Sequence, residues 1–237
     1  MAHPALLAIS HGTASSEGQA SIQALVDAVG RRLPEVSVRL GHVDVQQPDV
    51  AASLAELADG PVVIVPLLLS AGYHVRIDLR EQTAHRDDVT ITPALGPDPR
   101  LADLLAERLR EIEPNPQHVV LAVAGSSDGR ANDDCRSVAR MLGEKLGREV
   151  DVGFLAAAEP RLGAAVDAAV AHSPEMVVAN YLLAPGYFHD LATREAHGRP
   201  LARPLLTPSS APPASLVDII VERYLDAAQQ SVEGGHR

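Results

Sequence analysis

Residues 61–74 read PVVIVPLLLSAGYH. A strand with one wet face alternates apolar and polar residues, but 62–69 is apolar at every position. Eight such residues, closed by a Ser-Ala-Gly turn, describe a strand covered on both faces, as in a parallel sheet flanked by helices. MVVANYLL at 176–183 is nearly as continuous, broken only by Asn180. Working outward, strands are expected at 5–10, 36–45, 61–68, 89–93, 119–124, 150–156, 176–183 and 201–206. Helical periodicity falls between them, at 18–33, 49–58, 98–112, 134–146, 160–171 and 213–228. Alternation of this kind predicts an α/β fold of two tandem Rossmann-like units, each a mostly parallel four-stranded sheet flanked by helices.

The two units are copies of one another. LLLSAGYH aligns with YLLAPGYF so that Leu68, Gly72 and Tyr73 face Leu182, Gly186 and Tyr187, an offset of 114. At the same offset LLAISHGTASS meets VLAVAGSSDGR, and His11 falls opposite Gly125. Gln47-Pro48 matches Glu159-Pro160 with a slip of two residues. A tandem duplication follows. The proline-bearing EIEPNPQH sets a boundary near Pro114, which gives units at 1–114 and 115–228 and a flexible tail at 229–237. The copies differ where chemistry would sit. The first carries His11 and His74; the second has Gly125 and Phe188. One active site is therefore expected per chain, with its polar groups in the first unit and its second wall in the other.

Composition narrows the function. The chain has 237 residues, 46% of them hydrophobic, and a net charge of −11. Phosphate backbones need a basic footprint, and 3% aromatics give no platform for stacking bases, so nucleic acid is excluded as a partner. No apolar run reaches the roughly 18 residues that span a bilayer, and the N-terminus lacks a basic leader, so a cytoplasmic protein without membrane association is expected. The single cysteine, Cys135, has no neighbours at zinc spacing and reads as a structural thiol.

In a parallel α/β sheet the ligand site lies at the carboxyl ends of the strands. His11 follows the first strand and His74 the third. Asp44 ends the second, before Gln46, Gln47 and Pro48. Two imidazoles and a carboxylate at adjacent strand ends make either a metal site or an acid–base site. Gly12 permits a tight turn, and Thr13, Ser15 and Ser16 are placed to cap the next helix. His42, two residues before Asp44, is expected on the same strand face, and His189 on the opposite wall. His3, His85, His118, His172, His197 and His236 read as surface or loop residues. A histidine phosphatase would carry an arginine immediately before His11, where this chain has Ser10.

The segments LAISHGTASSEG, VDVQQPDV, VVIVPLLLSAGYHVRIDL and TPALGPDPRLADLLAERL, with the later LAVAGSSDG and YLLAPGYFHDL, resemble the sirohydrochlorin chelatases. These are the class II tetrapyrrole chelatases called CbiX or SirB. The likeness extends to about Tyr224 and is to the long form, in which two units are fused. It implies a lyase that inserts a divalent metal into sirohydrochlorin: Fe²⁺ to give sirohaem, or Co²⁺ towards cobalamin. Ni²⁺ and Zn²⁺ are also compatible with imidazole and carboxylate ligands. By position, His11 and His74 are the resemblance's two metal-handling histidines, and Asp44 stands where many members have a glutamate. The metal is a substrate, and no tightly bound organic cofactor is expected. Neutral imidazole holds a borderline metal and accepts a proton near neutral pH. The acidic macrocycle needs local donors on this acidic chain, for which Thr13, Arg76, Arg80, Ser126, Ser127 and Arg130 are the candidates. Tyr73, Tyr187 and Phe188 would flank the ring. A monomer with an internal pseudo-dimer is expected; a carrier with the same ligands but no turnover is the non-enzymatic alternative.

Overall fold

The computed structural model of the chain describes residues 3–57, 60–70, 72, 79–112, 118–208 and 210–234. Tyr73, His74 and Arg76, and the boundary expected near Pro114, lie outside the described residues. One sheet contains β1 (Ala5–Ser10), β2 (Val38–His42), β3 (Val62–Pro66) and β4 (Val89–Ile91), in the order β2-β1-β3-β4 and parallel throughout. The second contains β5 (His118–Val123), β6 (Val150–Phe154) and β7 (Met176–Tyr181), parallel and in the equivalent order β6-β5-β7. The helices are α1 (Ser16–Arg32), α2 (Val50–Ala55), α3 (Pro99–Arg110), α4 (Gly129–Leu146), α5 (Leu162–His172), α6 (Tyr187–Glu195) and α7 (Ala214–Gly234). Among the described residues no helix is long and apolar enough to cross a membrane.

Strand alternation sorts the side chains into layers. Leu6 and Ala8 of β1, Val63 and Val65 of β3, and Val119, Leu121 and Val123 of β5 enter one large core together with α1, α3, α4 and α7. Leu7, Ile9, Val62 and Ile64 face the other way, onto α2. Val120, Ala122, Met176 and Val178 do the same in the second sheet, under α5 and α6. Each fully buried leucine, such as Leu105 or Leu121, contributes about 1.5–3 kcal/mol.

The halves exchange their last helices. α3 packs on β7 and α4 of the second half, and α7 packs on β3 and α1 of the first. Tyr224 of α7 donates its hydroxyl proton to the Pro4 carbonyl at 2.6 Å. Arg100 joins the two exchanged helices, contacting Asp98 and Glu222 at 2.8 Å each. Burial pushes the Asp98 carboxyl up, but its bonds from Arg100 outweigh this and hold it below the usual range.

Four expectations need correction. The second sheet has three strands, because the stretch at 201–206 contributes only a bridge from Leu201 to Val178. Ala202 and Leu205 still donate to Val178 and Leu182 at 2.8 and 3.0 Å, but Pro204 between them has no N–H for a regular ladder. α6 was not expected; it buries only Ala192 among its nine residues and so shows no apolar stripe. α7 continues to Gly234, through residues read as tail, since no glycine or proline interrupts it before that point.

The fourth correction concerns the register of the duplication. Gly12 and Gly125 have φ +94° and +85°, and a Cβ on either would run into a carbonyl oxygen, that of Asp44 or of Ala156. Ser15 and Asp128 cap the helices that follow. The offset here is therefore 113, and His11 faces Ala124 rather than Gly125. At β3 and β7 it is 114, since Leu6 pairs with Val63 and Val119 with Val177.

Candidate active site

The strand order places a crevice at the carboxyl ends of β1 and β3, where successive connections leave on opposite sides of the sheet. His11 emerges there from β1 and is exposed. Pairing with the second strand continues past the end of the sheet: Val43 N–H donates to Ser10 O at 2.9 Å and Asp44 N–H to His11 O at 3.0 Å. Leu67 N–H donates to Ile9 O at 2.7 Å, so the chain leaving β3 starts beside the same edge. It is from this point that the sequence runs on towards His74.

Asp44 is exposed, and its Oδ1 accepts the N–H of Val45 at 2.7 Å. The other carboxylate oxygen has no partner among the described residues. β2 ends at His42, so strand alternation does not carry from His42 to Asp44. His42 is instead buried and hydrogen-bonded to Ser10 Oγ at 2.8 Å, and burial lowers its pKa. Its place is in the sheet, behind the strand ends. Among the described residues no three His, Cys, Asp or Glu side chains converge as a metal site.

Thr13 is fixed on every side. Its N–H donates to Gln46 Oε1 at 2.8 Å, its carbonyl accepts from Gln19 Nε2 at 2.8 Å, and its Oγ1 accepts the N–H of Ser15 at 3.1 Å. Ser126 is its counterpart: Asn132 bonds both its N–H (2.9 Å) and its carbonyl (2.8 Å), and Ser126 Oγ accepts the N–H of Asp128 at 3.1 Å. A hydroxyl that accepts in this way keeps its own proton to donate. Both hydroxyls are thus oriented donors. Ser127, Arg130 and Arg80 are exposed, and Arg130 Nε lies 3.5 Å from Asp128 Oδ1.

The two halves meet at these turns. Gly186 lies against Thr13 Oγ1, 2.8 Å from where its Cβ would be, and Gly18 lies against the Pro185 carbonyl. In the mirror contact Gly72 lies against Ser126 Oγ, at 2.7 Å by the same measure. Tyr181 donates to Leu69 O at 3.1 Å, and Cys135 Sγ is 3.7 Å from Ser70 Oγ. Burial raises both the Tyr181 phenol and the Cys135 thiol, so each stays protonated. The second half therefore grips the loop that leaves β3. Just after Gly186, Tyr187 and Phe188 are exposed, with ring centroids 5.6 Å apart and edge to face.

His189 does not join this wall. It is half-buried and bonds Asn180 at 2.9 Å, on the β7 face shared with Val178 and Leu182, and burial lowers its pKa against the opposing effect of Asp190. His118 and His197 pair with Asp151 and Asp167 at 2.8 Å on the surface. The sequence reading missed Gln46, Gln19 and Asn132. The run of Gln46 and Gln47 before Pro48 was visible, but only the fold shows that Gln46 holds the Thr13 turn.

The CbiX family model matches the chain twice, at residues 5–112 and 118–228. The chain belongs to the CbiX family. A sirohydrochlorin cobaltochelatase of Sulfolobus acidocaldarius is 29% identical over 109 residues, which is 44% of this chain and 87% of that one. The structure of SirB from Bacillus subtilis with Fe³⁺ superposes with a TM-score of 0.79 at 18% identity, covering 98% of both chains. The sirohydrochlorin chelatase SirB from Bacillus subtilis subspecies spizizenii, in complex with cobalt, gives 0.74 at 18% identity over 96% of both. These two share the fold over nearly their full length.

Proposed function

We propose that this chain is a sirohydrochlorin chelatase, inserting Fe²⁺ or Co²⁺ to give sirohaem or cobalt-sirohydrochlorin. The observation that carries the reading is an exposed histidine, His11, at the β1–β3 crevice of a CbiX-family chain, with the Asp44 N–H hydrogen-bonded to its backbone carbonyl. His11 and His74 hold the incoming metal and accept the two pyrrole protons. Asp44 keeps one carboxylate oxygen to balance the charge of the metal or of an imidazolium. Neutral imidazoles suit this work because they bind without the permanence of a thiolate cage, and the metal must move on. Thr13 and Ser126, with Ser127, Arg76, Arg80 and Arg130, serve the substrate carboxylates. Tyr73, Tyr187 and Phe188 flank the ring. Both walls come from one chain, so a monomer suffices, which sedimentation at working concentration would check.

The test follows sirohydrochlorin absorbance under anaerobic conditions with Fe²⁺ or Co²⁺ and catalytic amounts of protein. The expected result is multiple turnovers by the wild type, and rates close to the spontaneous one for His11→Ala and His74→Ala with little change in melting temperature. Stoichiometric binding without turnover would make the protein a carrier instead. Full activity in both variants would remove the histidines from the mechanism.

A further inference from the structure

Val45 has φ 65°, in the left-handed region where a branched Cβ crowds the backbone. Glycine or asparagine adopts this conformation at little cost. Burial does not offset the strain, because Val45 is 59% exposed while nearby Val50 is wholly buried. The loop nevertheless holds the residue firmly. Asp44 accepts the Val45 N–H through Oδ1 and the Gln46 N–H through its carbonyl, both at 2.7 Å, and both Asp44 and Gln46 lie against Gly12.

The second half separates the backbone from the side chain. Ala157 occupies the same place, with φ 57°, against Gly125. The left-handed turn thus belongs to the loop that both halves share. The exposed branched side chain belongs only to the half that carries His11. The fold accounts for the turn but not for a branched residue in it, and strain of this kind clusters at sites of function.

The neighbours give the ligand class. Val45, Tyr187, Phe188 and Leu225 are the exposed large apolar residues among the described ones. The first three flank a single turn: Asp44, beside Val45, lies on Gly12, and Thr13 lies against Gly186, which precedes Tyr187 and Phe188. Exposed apolar residues from both halves beside the turn that follows His11 fit a flat ring with apolar faces and polar edges. We propose that Val45 is a contact residue for the macrocycle, seating the ring beside His11 while Tyr187 and Phe188 approach from the other half. This rests on the chelatase reading above.

The experiment titrates metal-free sirohydrochlorin into wild type, Val45→Gly and Val45→Ile, following macrocycle fluorescence, with melting temperatures and insertion kinetics alongside. Val45→Gly relieves the left-handed strain, so its melting temperature holds or rises, while affinity falls roughly tenfold, as expected for losing a branched apolar contact. KM for the macrocycle rises by a similar factor with kcat little changed, and Val45→Ile keeps wild-type affinity. No macrocycle binding by the wild type would overturn the chelatase reading itself. Wild-type binding with equal affinity in Val45→Gly would overturn only the role of Val45. Weakened binding together with a lowered melting temperature would overturn it too, by making the effect one of loop structure.

Discussion

The two halves share a backbone down to their turns, yet they treat the strand ends differently. Each has a glycine with positive φ pressed on the next loop, a hydroxyl residue braced by a side-chain amide, and a left-handed residue two positions after that loop's first contact. On this frame the first half presents His11, Asp44 and Val45, and the second Ala124, Ala156 and Ala157. His42 behind the first edge becomes Phe154 behind the second, each buried. The turns are needed by the fold, since both copies keep them. The imidazole, the carboxylate and the branched side chain are not, since one copy folds without them. Comparing duplicates within one chain thus does the work of a control.

The comparison can be broken most sharply at the paired glycines. Gly12→Ala and Gly125→Ala both force a Cβ towards a backbone carbonyl at positive φ, and each is expected to cost about 1–3 kcal/mol in denaturant unfolding. Activity per folded molecule should separate them: Gly12→Ala, which shifts His11 and Asp44, loses about 100-fold, and Gly125→Ala much less. Equal losses would mean that the second edge takes part in the chemistry. A smaller effect is expected from Tyr181→Phe, which removes the grip of the second half on the Leu69 carbonyl. Stability should fall by about 1 kcal/mol. The metal-insertion rate should fall severalfold in excess of any change in folded fraction, because the loop leaving β3 loses its anchor. An unchanged rate would show that the grip is dispensable.

The smallest effect is in pH dependence. Burial holds the His42 and His189 pKa values below the ordinary value of about 6.5. Below that pH the unfolded chain takes up protons that the folded chain resists, so stability is full above about pH 6.5 and declines as pH falls towards the folded values. The depressed carboxylates, Asp98 and Glu111 among them, keep their contribution above the ordinary carboxylate range and lose it only as pH falls through their own lowered values. The difference in melting temperature between pH 7.5 and 5.5, conditions set about 6.5, should therefore shrink in His42→Gln. No change in that difference would assign the slope to other groups.

Much of this was legible because the signals were local. Nearly continuous apolar runs located β3 and β7, and the run of Ala5–Ser10 located β1, since a strand covered on both faces is mostly apolar and its rare polar residues, Ser10 and Asn180, are hydrogen-bonded. His11 and Asp44 were placed at one edge by strand order alone. What escaped depended on contacts distant in sequence. A one-residue slip between Gly12 and Gly125 is invisible while the flanking apolar residues interchange, as Leu7 and Val120 do. His42 was assigned by strand alternation, which fails where β2 stops. α6 has too little buried surface for its period to show. The role of Gln46 depends on the approach of the Thr13 turn, 33 residues away in sequence.

The crossing of α7 back to β3 has a consequence for the order in which the molecule is finished. A ribosome releases the first sheet long before the helix that completes its cover, which follows every strand of the second sheet in sequence. The second sheet has α3 waiting when it emerges. The half made first is thus completed last, and its apolar inner face stays open throughout synthesis of the other, a period in which intermediates of this kind invite association. Closing so long a loop costs little at equilibrium, because the entropy grows only with the logarithm of length, but it slows the search.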